Sequence, residues 1–300
     1  MKKFFVSLFI ILLCFSCNTS KRNKANIYQL IPDSTQVVIK INTLETFKSD
    51  INNSAFVKAI TKTNFYENFN TSLERLGDFK TDNELLICFN NYNDTTYFTF
   101  ITKHHDSLVK TSDSLKLHNT IIDSIHVASS SKNIIDAIKV NKNNSFNNYN
   151  KVLDEKASFS ILLNRQSARS FGNTIFNPSN KEFASSLVLD LEVSPDQFIF
   201  NGVSINNDSI KNFVDIFKNT VPQENTIQNI APINSNGFVS LTYNDFQVLN
   251  KNLLSLKQQA VDSTQHFELL ETLKEVGIIY FEGNEALVLK SIDAFSTTAF

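Results

Sequence analysis

Apolar residues recur along this chain at two spacings, which predict strands and helices. Short runs rich in β-branched and aromatic residues predict strands, and apolar residues repeating every three or four positions predict helices. The strands are predicted at 35–41, 84–89, 96–102, 120–128 (as two short strands), 157–163, 186–193, 198–205, 236–243, 275–280 and 286–290. The helices are predicted at 44–60 with a break at Asn52-Asn53, at 65–76, at 131–140, from a cap at Asp208-Ser209 to Phe217, and at 246–253.

Polar segments separate these elements. Thr43 is the predicted N-cap of the first helix, and two hairpins are predicted to turn at 90–94 and at 194–197. A short helix or loop is predicted between the strand at 157–163 and Gly172. The asparagine-rich segment 141–150 is of low complexity and predicts a solvated loop.

One stretch of sequence occurs twice. Ile31-Pro-Asp-Ser-Thr35 precedes the first strand, and Ala231-Pro232 begins a second copy roughly 200 residues later. The following strand, helix and hairpin match in the same order, although this order also arises by coincidence in α+β proteins. We therefore predict an α+β fold with antiparallel sheets and helices packed on one face. It comprises a first unit at 28–220 and a partial second repeat at 221–300.

The second copy lacks a counterpart of residues 120–217, and the chain ends in Ser296-Thr-Thr-Ala-Phe300 without a polar tail. This pattern predicts a truncated second unit, that is, an N-terminal fragment or a shortened gene product.

The first seventeen residues resemble a bacterial lipoprotein signal peptide. Lys2 and Lys3 form a positive n-region, Phe4–Phe15 form an apolar run too short to span a membrane, and Ser16 precedes Cys17. The resemblance implies that Cys17 is lipidated and becomes the first residue of the mature protein. Cys14 is a weaker candidate because Leu13 precedes it, and an ordinary secretory signal peptide is the alternative.

The residues after Cys17 predict where the protein is located. Residues 18–27 are mostly polar, with basic residues in the first part, and predict a flexible tether. By resemblance to lipoprotein sorting rules, the absence of Asp at position 18 implies the outer membrane. The absence of an acidic run favours a protein that faces the periplasm. The predicted partners are the membrane, through the lipid anchor, and an unidentified protein.

The Ile-Pro-Asp-Ser-Thr motif, the strand and the Phe-containing helix after it are similar to a family of uncharacterised exported bacterial proteins. That family carries tandem IP-x-D-T units behind signal peptides. The resemblance covers roughly residues 28–300 and implies no functional residues or cofactor. The second copy departs from it at Ala231-Pro-Ile-Asn-Ser235.

Composition narrows the classes of function. The chain is 42% hydrophobic, enough for a core, and its formal net charge of −2 gives no field that would favour nucleic acid. After removal of the signal peptide, Cys17 and Cys88 are the cysteines that remain, so no intrachain disulfide is expected. Cys88 lies in an apolar strand and is predicted to be a buried small residue and not a nucleophile.

Sequence motifs for catalysis or metal binding are absent. No two of the six glycines are close enough to form a phosphate-binding loop, and no G-x-S-x-G, H-E-x-x-H or paired-cysteine motif occurs. Four histidines could cluster after the first hairpin, but we expect them to be surface or loop residues: His104, His105, His118 and His126. No cofactor and no metal are predicted.

Two pairs of carboxylates were considered for acid–base chemistry: Asp154 with Glu155, and Asp190 with Glu192. The second pair alternates with apolar residues, which is typical of the solvated face of an amphipathic strand. We therefore predict no catalytic residue.

Asp followed by Ser or Thr and then by an aliphatic residue or Thr occurs at seven places, where about one or two are expected by chance. The pattern resembles an O-glycosylation sequon of exported proteins in some Gram-negative bacteria, which implies glycans on exposed loops. The rival interpretation is that these dipeptides form turns and caps. The candidate acceptors are Ser34, Thr95, Ser107, Ser114, Ser124, Ser209 and Ser263.

The sequence therefore predicts a lipid-anchored cell-envelope protein that binds a partner or supports an assembly without catalysis. The alternatives are an envelope hydrolase, with its site in a missing C-terminal part, and a carrier of hydrophobic ligands. A large apolar pocket would favour the carrier, and converging histidine and carboxylate groups in a cleft would favour the enzyme. A filled core with a broad exposed patch would favour the partner-binding protein.

Overall fold

The computed structural model describes the chain from residue 25 to residue 299, with gaps. It describes residues 25–60, 79–92, 95–141, 146, 149, 151–176, 182–195, 197–206, 211–257, 273–281, 284–290 and 295–299. The signal peptide, the start of the tether and the predicted helix at 65–76 lie outside the described residues.

The fold is α+β, as predicted, with antiparallel sheets. The strands are β1 Val37–Ile41, β2 Leu85–Tyr92, β3 Thr95–Lys103, β4 His118–Ile122, β5 Ile125–Ser129, β6 Phe159–Leu163, β7 Ser186–Val193, β8 Phe198–Ile205, β9 Gly237–Thr242, β10 Glu275–Phe281, β11 Asn284–Lys290 and β12 Phe295–Ala299. The helices are α1 Leu44–Asn53, α2 Ala55–Ile60, α3 Asp106–Ser114, α4 Lys132–Ala137, α5 Arg165–Phe176 and α6 Phe246–Leu256. The described residues include the 3-10 turns η1 Ile27–Leu30, η2 Phe213–Phe217 and η3 Ile227–Asn229.

Hydrogen bonding orders the strands β4-β5-β3-β2-β1-β6-β7-β8 in one sheet and β12-β11-β10-β9 in another. Contacts divide the chain into two compact units. One holds the residues up to Ser160 with Glu192–Ile199, and the other holds Ile161–Leu191 with the residues from Phe200 onward. The predicted boundary after residue 220 follows the sequence repeat and stays a prediction.

The first unit is built on β1, β2 and β3. Ile41 lies opposite Leu85, and Leu85 lies opposite Thr102, so the three strands form a continuous antiparallel ladder. Most of the described apolar side chains of these strands are buried, and Phe47 of α1 meets Phe159 edge-on at 5.2 Å between ring centroids. Burial of such aromatic and aliphatic groups is the main stabilising term in a core of this kind.

The structure corrects several predicted boundaries of the first unit. The hairpin turn is shorter than 90–94, because β2 continues to Tyr92 and β3 begins at Thr95. Helix α3 was missed because its sequence, DSLVKTSDS, is largely polar; its buried side chains are Leu108 and Ser112. Thr43 occupies the N-cap position of α1, but its side chain makes no capping hydrogen bond.

Within the asparagine-rich segment 141–150, the structure describes Asn141, Phe146 and Tyr149. Phe146 and Tyr149 are both buried, with ring centroids 5.3 Å apart in an edge-to-face arrangement. These two positions are therefore not solvated, in contrast to the predicted loop, because the aromatic rings bury apolar surface.

Strands β7 and β8, whose residues are divided between the two units, have the predicted bounds. The predicted helix from Asp208 does not form in the described residues. The 3-10 turn η2 stands there, preceded by Asn212, whose backbone N–H donates to Asp215 Oδ2 at 2.7 Å. Helix α5 runs past Gly172 as a full helix. Asp245 caps α6 by accepting hydrogen bonds from the N–H groups of the next turn.

The two copies of the repeated stretch have the same register. Ile39 lies opposite Ile87 in the first copy, and the matching Val239 lies opposite Ile278 in the second. Each copy begins with a 3-10 turn followed by a turn at proline. The N–H of Thr35 donates to the carbonyl of Pro32 at 3.0 Å, and the N–H of Ser235 donates to the carbonyl of Pro232 at 2.9 Å. The repeat found in sequence is thus a repeat of hydrogen-bond geometry.

A glutamate at the start of the second strand of each copy links that strand to the preceding segment. Glu84 accepts a hydrogen bond from Tyr28 Oη at 2.6 Å, and its carboxylate lies 3.8 Å from Lys40 Nζ. Its counterpart, Glu275, is 2% exposed and accepts hydrogen bonds from Ser240 Oγ at 2.6 Å and Thr226 Oγ1 at 2.8 Å. Burial alone would raise the pKa of Glu275, but these bonds and those from backbone N–H groups outweigh it and hold the pKa below its ordinary value.

Strand β12 was not predicted, because Phe295-Ser-Thr-Thr-Ala299 is mostly polar. It pairs with β11 so that Lys290 lies opposite Phe295, just as Lys103 lies opposite Ile125 in the first copy. The strand at this position in the first copy, β5, follows a helix and another strand, whereas β12 follows β11 after a short connection.

Candidate functional site

The predicted lipidation site, Cys17, lies outside the described residues. Among the residues that the structure describes, no helix is long and apolar enough to cross a membrane. The lipid anchor therefore stays a prediction.

Five of the seven candidate glycan acceptors lie in the described part of the chain, and all five are exposed: Ser34, Thr95, Ser107, Ser114 and Ser124. They occupy a turn, a strand start, both ends of α3 and a tight turn at which Ser124 has a φ of 68°. Ser209 and Ser263 lie outside the described residues. Exposure is what a glycan acceptor requires, but turns and caps explain the same positions, so the modification stays a prediction.

His126 corrects the expectation that the histidines are surface or loop residues. It lies in β5 and is 0% exposed, while His104 is half-buried and stacks on it at 6.0 Å between ring centroids. The Nδ1 atoms of both rings are buried and have no hydrogen-bond partner. Burial, and then the neighbouring His104, lower the pKa of His126 to about 4 against a smaller opposing effect of Asp113.

The arrangement around His126 does not form a reactive centre. Ser112 Oγ lies 3.0 Å from His126 Nε2, the distance of a nucleophile and its base, but both residues are 0% exposed. A substrate would therefore have no access to the hydroxyl. No group of three or more His, Cys, Asp or Glu side chains suited to a metal ion occurs among the described residues.

Cys88 is buried, as predicted, and burial raises the pKa of its thiol far above the ordinary value. The carboxylates of Asp154 and Glu155 are exposed, and Asp154 Oδ1 accepts a hydrogen bond from the N–H of Lys156 at 2.8 Å. Glu192 is exposed and Asp190 is half-buried on β7. The side chains of β7 are thus solvated only toward the C-terminal end of the strand.

A pocket of about 430 Å³ lies in the first unit beside the Pro turn that opens the repeat. Its walls are the turn itself, the end of β2, Tyr97 of β3, and α4 with the residues after it. Asn133, Ile134 and Ala137 are three and four residues apart, so α4 presents them on one face. The lining residues are Ile31, Pro32, Asp33, Ser34, Asn90, Asn91, Tyr97, Ser131, Asn133, Ile134, Ala137, Ile138, Lys139 and Asn141.

Asn90 is the most deeply buried amide of this lining, with 2% of its surface exposed. Its Nδ2 donates to Ser34 Oγ at 2.8 Å and to Thr35 Oγ1 at 3.2 Å. Its Oδ1 is buried without a hydrogen-bond partner. A buried amide oxygen left in this state is unusual and costs free energy.

The rim of the pocket carries one charge of each sign. Asp33 and Lys139 are both exposed, and Asp33 Oδ1 accepts a hydrogen bond from Asn141 Nδ2 at 2.8 Å. Asn141 is held in place because its backbone N–H also donates to the carbonyl of Gln29 at 2.8 Å.

The second copy does not repeat this lining. Its turn has Ile233 where the first has Asp33, and the register places Phe281 where the first copy has Asn90. In the first copy the wall formed by α4 comes from a segment that follows β5. The pocket therefore belongs to the first unit and is not a general property of the repeat.

Sequence reasoning treated the Ile31–Ser34 turn as structural and missed the pocket. The lining comes from four separate segments between Ile31 and Asn141, so no local pattern displays it. The sequence signal for the pocket is a pair of asparagines, Asn90 and Asn91, at the end of an apolar strand, and this pair also fits the turn predicted at 90–94.

Comparisons with protein-family models, with curated proteins and with solved structures found no match. The resemblance to a family of exported bacterial proteins therefore stays a prediction.

Proposed function

We propose that this chain is a lipid-anchored, non-catalytic binding protein of the bacterial cell envelope, and that its ligand site is the pocket beside the Ile31–Ser34 turn. The observation that carries the proposal is the pocket itself. Its volume of about 430 Å³ lies in the range of small-molecule sites, and it combines an aliphatic wall with a buried amide.

The chemistry of the lining supports binding. Apart from Asp33 and Lys139 at the rim and the hydroxyl of Tyr97, the polar lining consists of amides and serine hydroxyls. These groups hold a ligand by hydrogen bonds but do not supply an acid–base pair in a cleft. The buried Ser112–His126 contact lies outside this lining.

The anchor places the pocket near a membrane. Ile31 follows Cys17 by 14 residues (31 − 17), so even a fully extended tether reaches at most about 50 Å. Lipidation at Cys17 would hold the binding site within that distance of the bilayer, where a periplasmic ligand could be captured.

A carrier of hydrophobic ligands is the second candidate, because Ile31, Ile134 and Ile138 contribute aliphatic surface to the pocket. This candidate shares the pocket with the proposed function and differs in the class of ligand.

The anchor is tested by metabolic labelling with radioactive palmitate in the host bacterium. Wild type and Cys14→Ser are expected to incorporate label and to fractionate with the outer membrane, whereas Cys17→Ser is expected to do neither. Labelling that persists in Cys17→Ser and disappears in Cys14→Ser would assign the anchor to the other cysteine. The absence of label from all three proteins would refute the anchor.

The ligand site is tested by native mass spectrometry of the full chain. The protein is incubated with the low-molecular-mass fraction of an extract of its host. Wild type is expected to retain a bound compound that Ala137→Trp, which fills the pocket, does not. The matched control is Asp136→Trp, because Asp136 is exposed on the same helix but does not line the pocket. Equal retention by all three proteins, or by none, would refute the site.

A further inference from the structure

The charges of the pocket lining cancel. Asp33 and Lys139 are the charged residues that line it, and both are exposed at the rim. Asp33 already accepts a hydrogen bond from Asn141, at 2.8 Å. A charged ligand would give up its hydration on entering and would meet in return only one countercharge at the rim, where water screens it, so the pocket favours an uncharged molecule.

The polar groups of the lining can both donate and accept hydrogen bonds. They are four asparagine amides, two serine hydroxyls and one tyrosine hydroxyl: Asn90, Asn91, Asn133, Asn141, Ser34, Ser131 and Tyr97. A ligand hydroxyl also donates and accepts, so it can satisfy either end of such a group. Several hydroxyl groups on one ligand would match this distribution better than a single carbonyl or ether oxygen.

The remaining wall is apolar. Ile31 is buried, Ile134 and Ile138 are half-buried, and Pro32 and Ala137 complete this surface. A ligand that only offered hydroxyl groups would leave the wall in contact with polar atoms. A sugar ring combines equatorial hydroxyl groups at its edge with a face of C–H groups, so it can contact both kinds of surface at once.

We infer that this pocket binds an uncharged polyhydroxylated ligand, a neutral sugar of about one or two rings. The inference rests on the proposed function and names the class of its ligand. The size of the ligand follows from the volume of the pocket, about 430 Å³, which is near the lower end of the usual range for ligand sites.

The test is isothermal titration calorimetry of the full chain in a zwitterionic detergent, which carries no sugar headgroup. The neutral probes are cellobiose and N,N′-diacetylchitobiose. The charged counterparts are cellobiouronic acid, an anion, and the fully deacetylated chitobiose, a cation. We expect at least one neutral disaccharide to bind, with its charged counterpart at least about tenfold weaker.

Variants place the binding in the pocket. Ala137→Trp is expected to weaken the neutral disaccharide at least about tenfold by filling the pocket, and Asp136→Trp to leave it within about twofold.

The outcomes separate this inference from the proposed function. The inference is overturned if no neutral disaccharide binds, if a charged counterpart binds more tightly, or if Ala137→Trp leaves sugar binding unchanged. The proposed function survives those results when native mass spectrometry still finds a compound that Ala137→Trp excludes, such as an aliphatic ligand. The proposed function is refuted when no compound of any class binds in a way that depends on the pocket.

Discussion

Replacing Glu275 by Gln tests whether the buried carboxylate holds the second copy of the repeat together. The carboxylate accepts hydrogen bonds from four donors: the N–H and Oγ1 of Thr226, the N–H of Ile227 and Oγ of Ser240. The amide oxygen of glutamine accepts about two hydrogen bonds, so about two donors lose their partner. At roughly 1.5 kcal/mol or more for each bond to a charged group, the loss is about 3 kcal/mol.

Hydrogen-exchange mass spectrometry measures this loss locally. A change of about 3 kcal/mol corresponds to roughly a hundredfold faster exchange in β9, β10 and η3. Glu224→Gln is the matched control, because Glu224 is exposed, lies two residues before Thr226, and should change stability by no more than about 0.5 kcal/mol. Exchange in β10 of Glu275→Gln within a fewfold of wild type would refute the carboxylate's role.

The pH dependence gives an independent check. The pKa of Glu275 is lower in the folded protein than in the unfolded chain, where it is near 4.5. Its contribution is therefore complete above pH 4.5 and is lost as the pH falls through the folded value. The difference between wild type and Glu275→Gln should narrow in acid, and a constant difference would contradict the assignment.

Three further predictions follow from buried groups. The pKa of His126 is lowered from 6.5 to about 4 in the folded protein, so the unfolded chain binds the proton first, and the first unit should lose about 3 kcal/mol of stability as the pH falls from 6.5 to 4. Urea denaturation of His126→Gln should lack this loss of stability in acid, and identical profiles of stability against pH for the two proteins would contradict the prediction. Gly277→Ala should lower the stability measured by thermal denaturation by about 1–3 kcal/mol, because the new Cβ would lie 2.5 Å from Ile227 Cδ1 and 2.6 Å from the Val239 carbonyl oxygen. Gly237→Ala is the control, because its Cβ would have no atom within 4 Å, and equal losses of stability in the two variants would refute the crowding. Cys88 should not react with a thiol reagent in the folded chain from Asn18 onward and should react fully in urea; rapid reaction in the native state would show that it is accessible.

The elements predicted best from sequence are those whose pattern is local. Strands β7 and β8 were located to the residue because apolar runs flank a turn that contains Pro195. Helix α3 and strand β12 were missed because their stability comes from their partners and not from their own apolar content. His126 was misplaced for the same reason, since β5 is buried throughout and α3 supplies the Ser112 hydroxyl that faces it.

The repeat was visible in sequence because its apolar positions are conserved between the two copies at a nearly constant offset. The pocket was not visible, because Ile31, Asn90, Tyr97 and Ile134 come together only when the first sheet and α4 form. The turn that opens the repeat thus has two roles in the first unit: it sets the register of β1, and it forms one wall of the pocket.

Hydrogen exchange of the full chain, with and without the low-molecular-mass extract of its host, tests whether this pocket is a ligand site. We expect slower exchange confined to Ile31–Ser34, to the end of β2 at Asn90-Asn91, and to Ser131–Asn141, and no such protection in Ala137→Trp. Protection elsewhere in the chain, or equal protection in that variant, would contradict it.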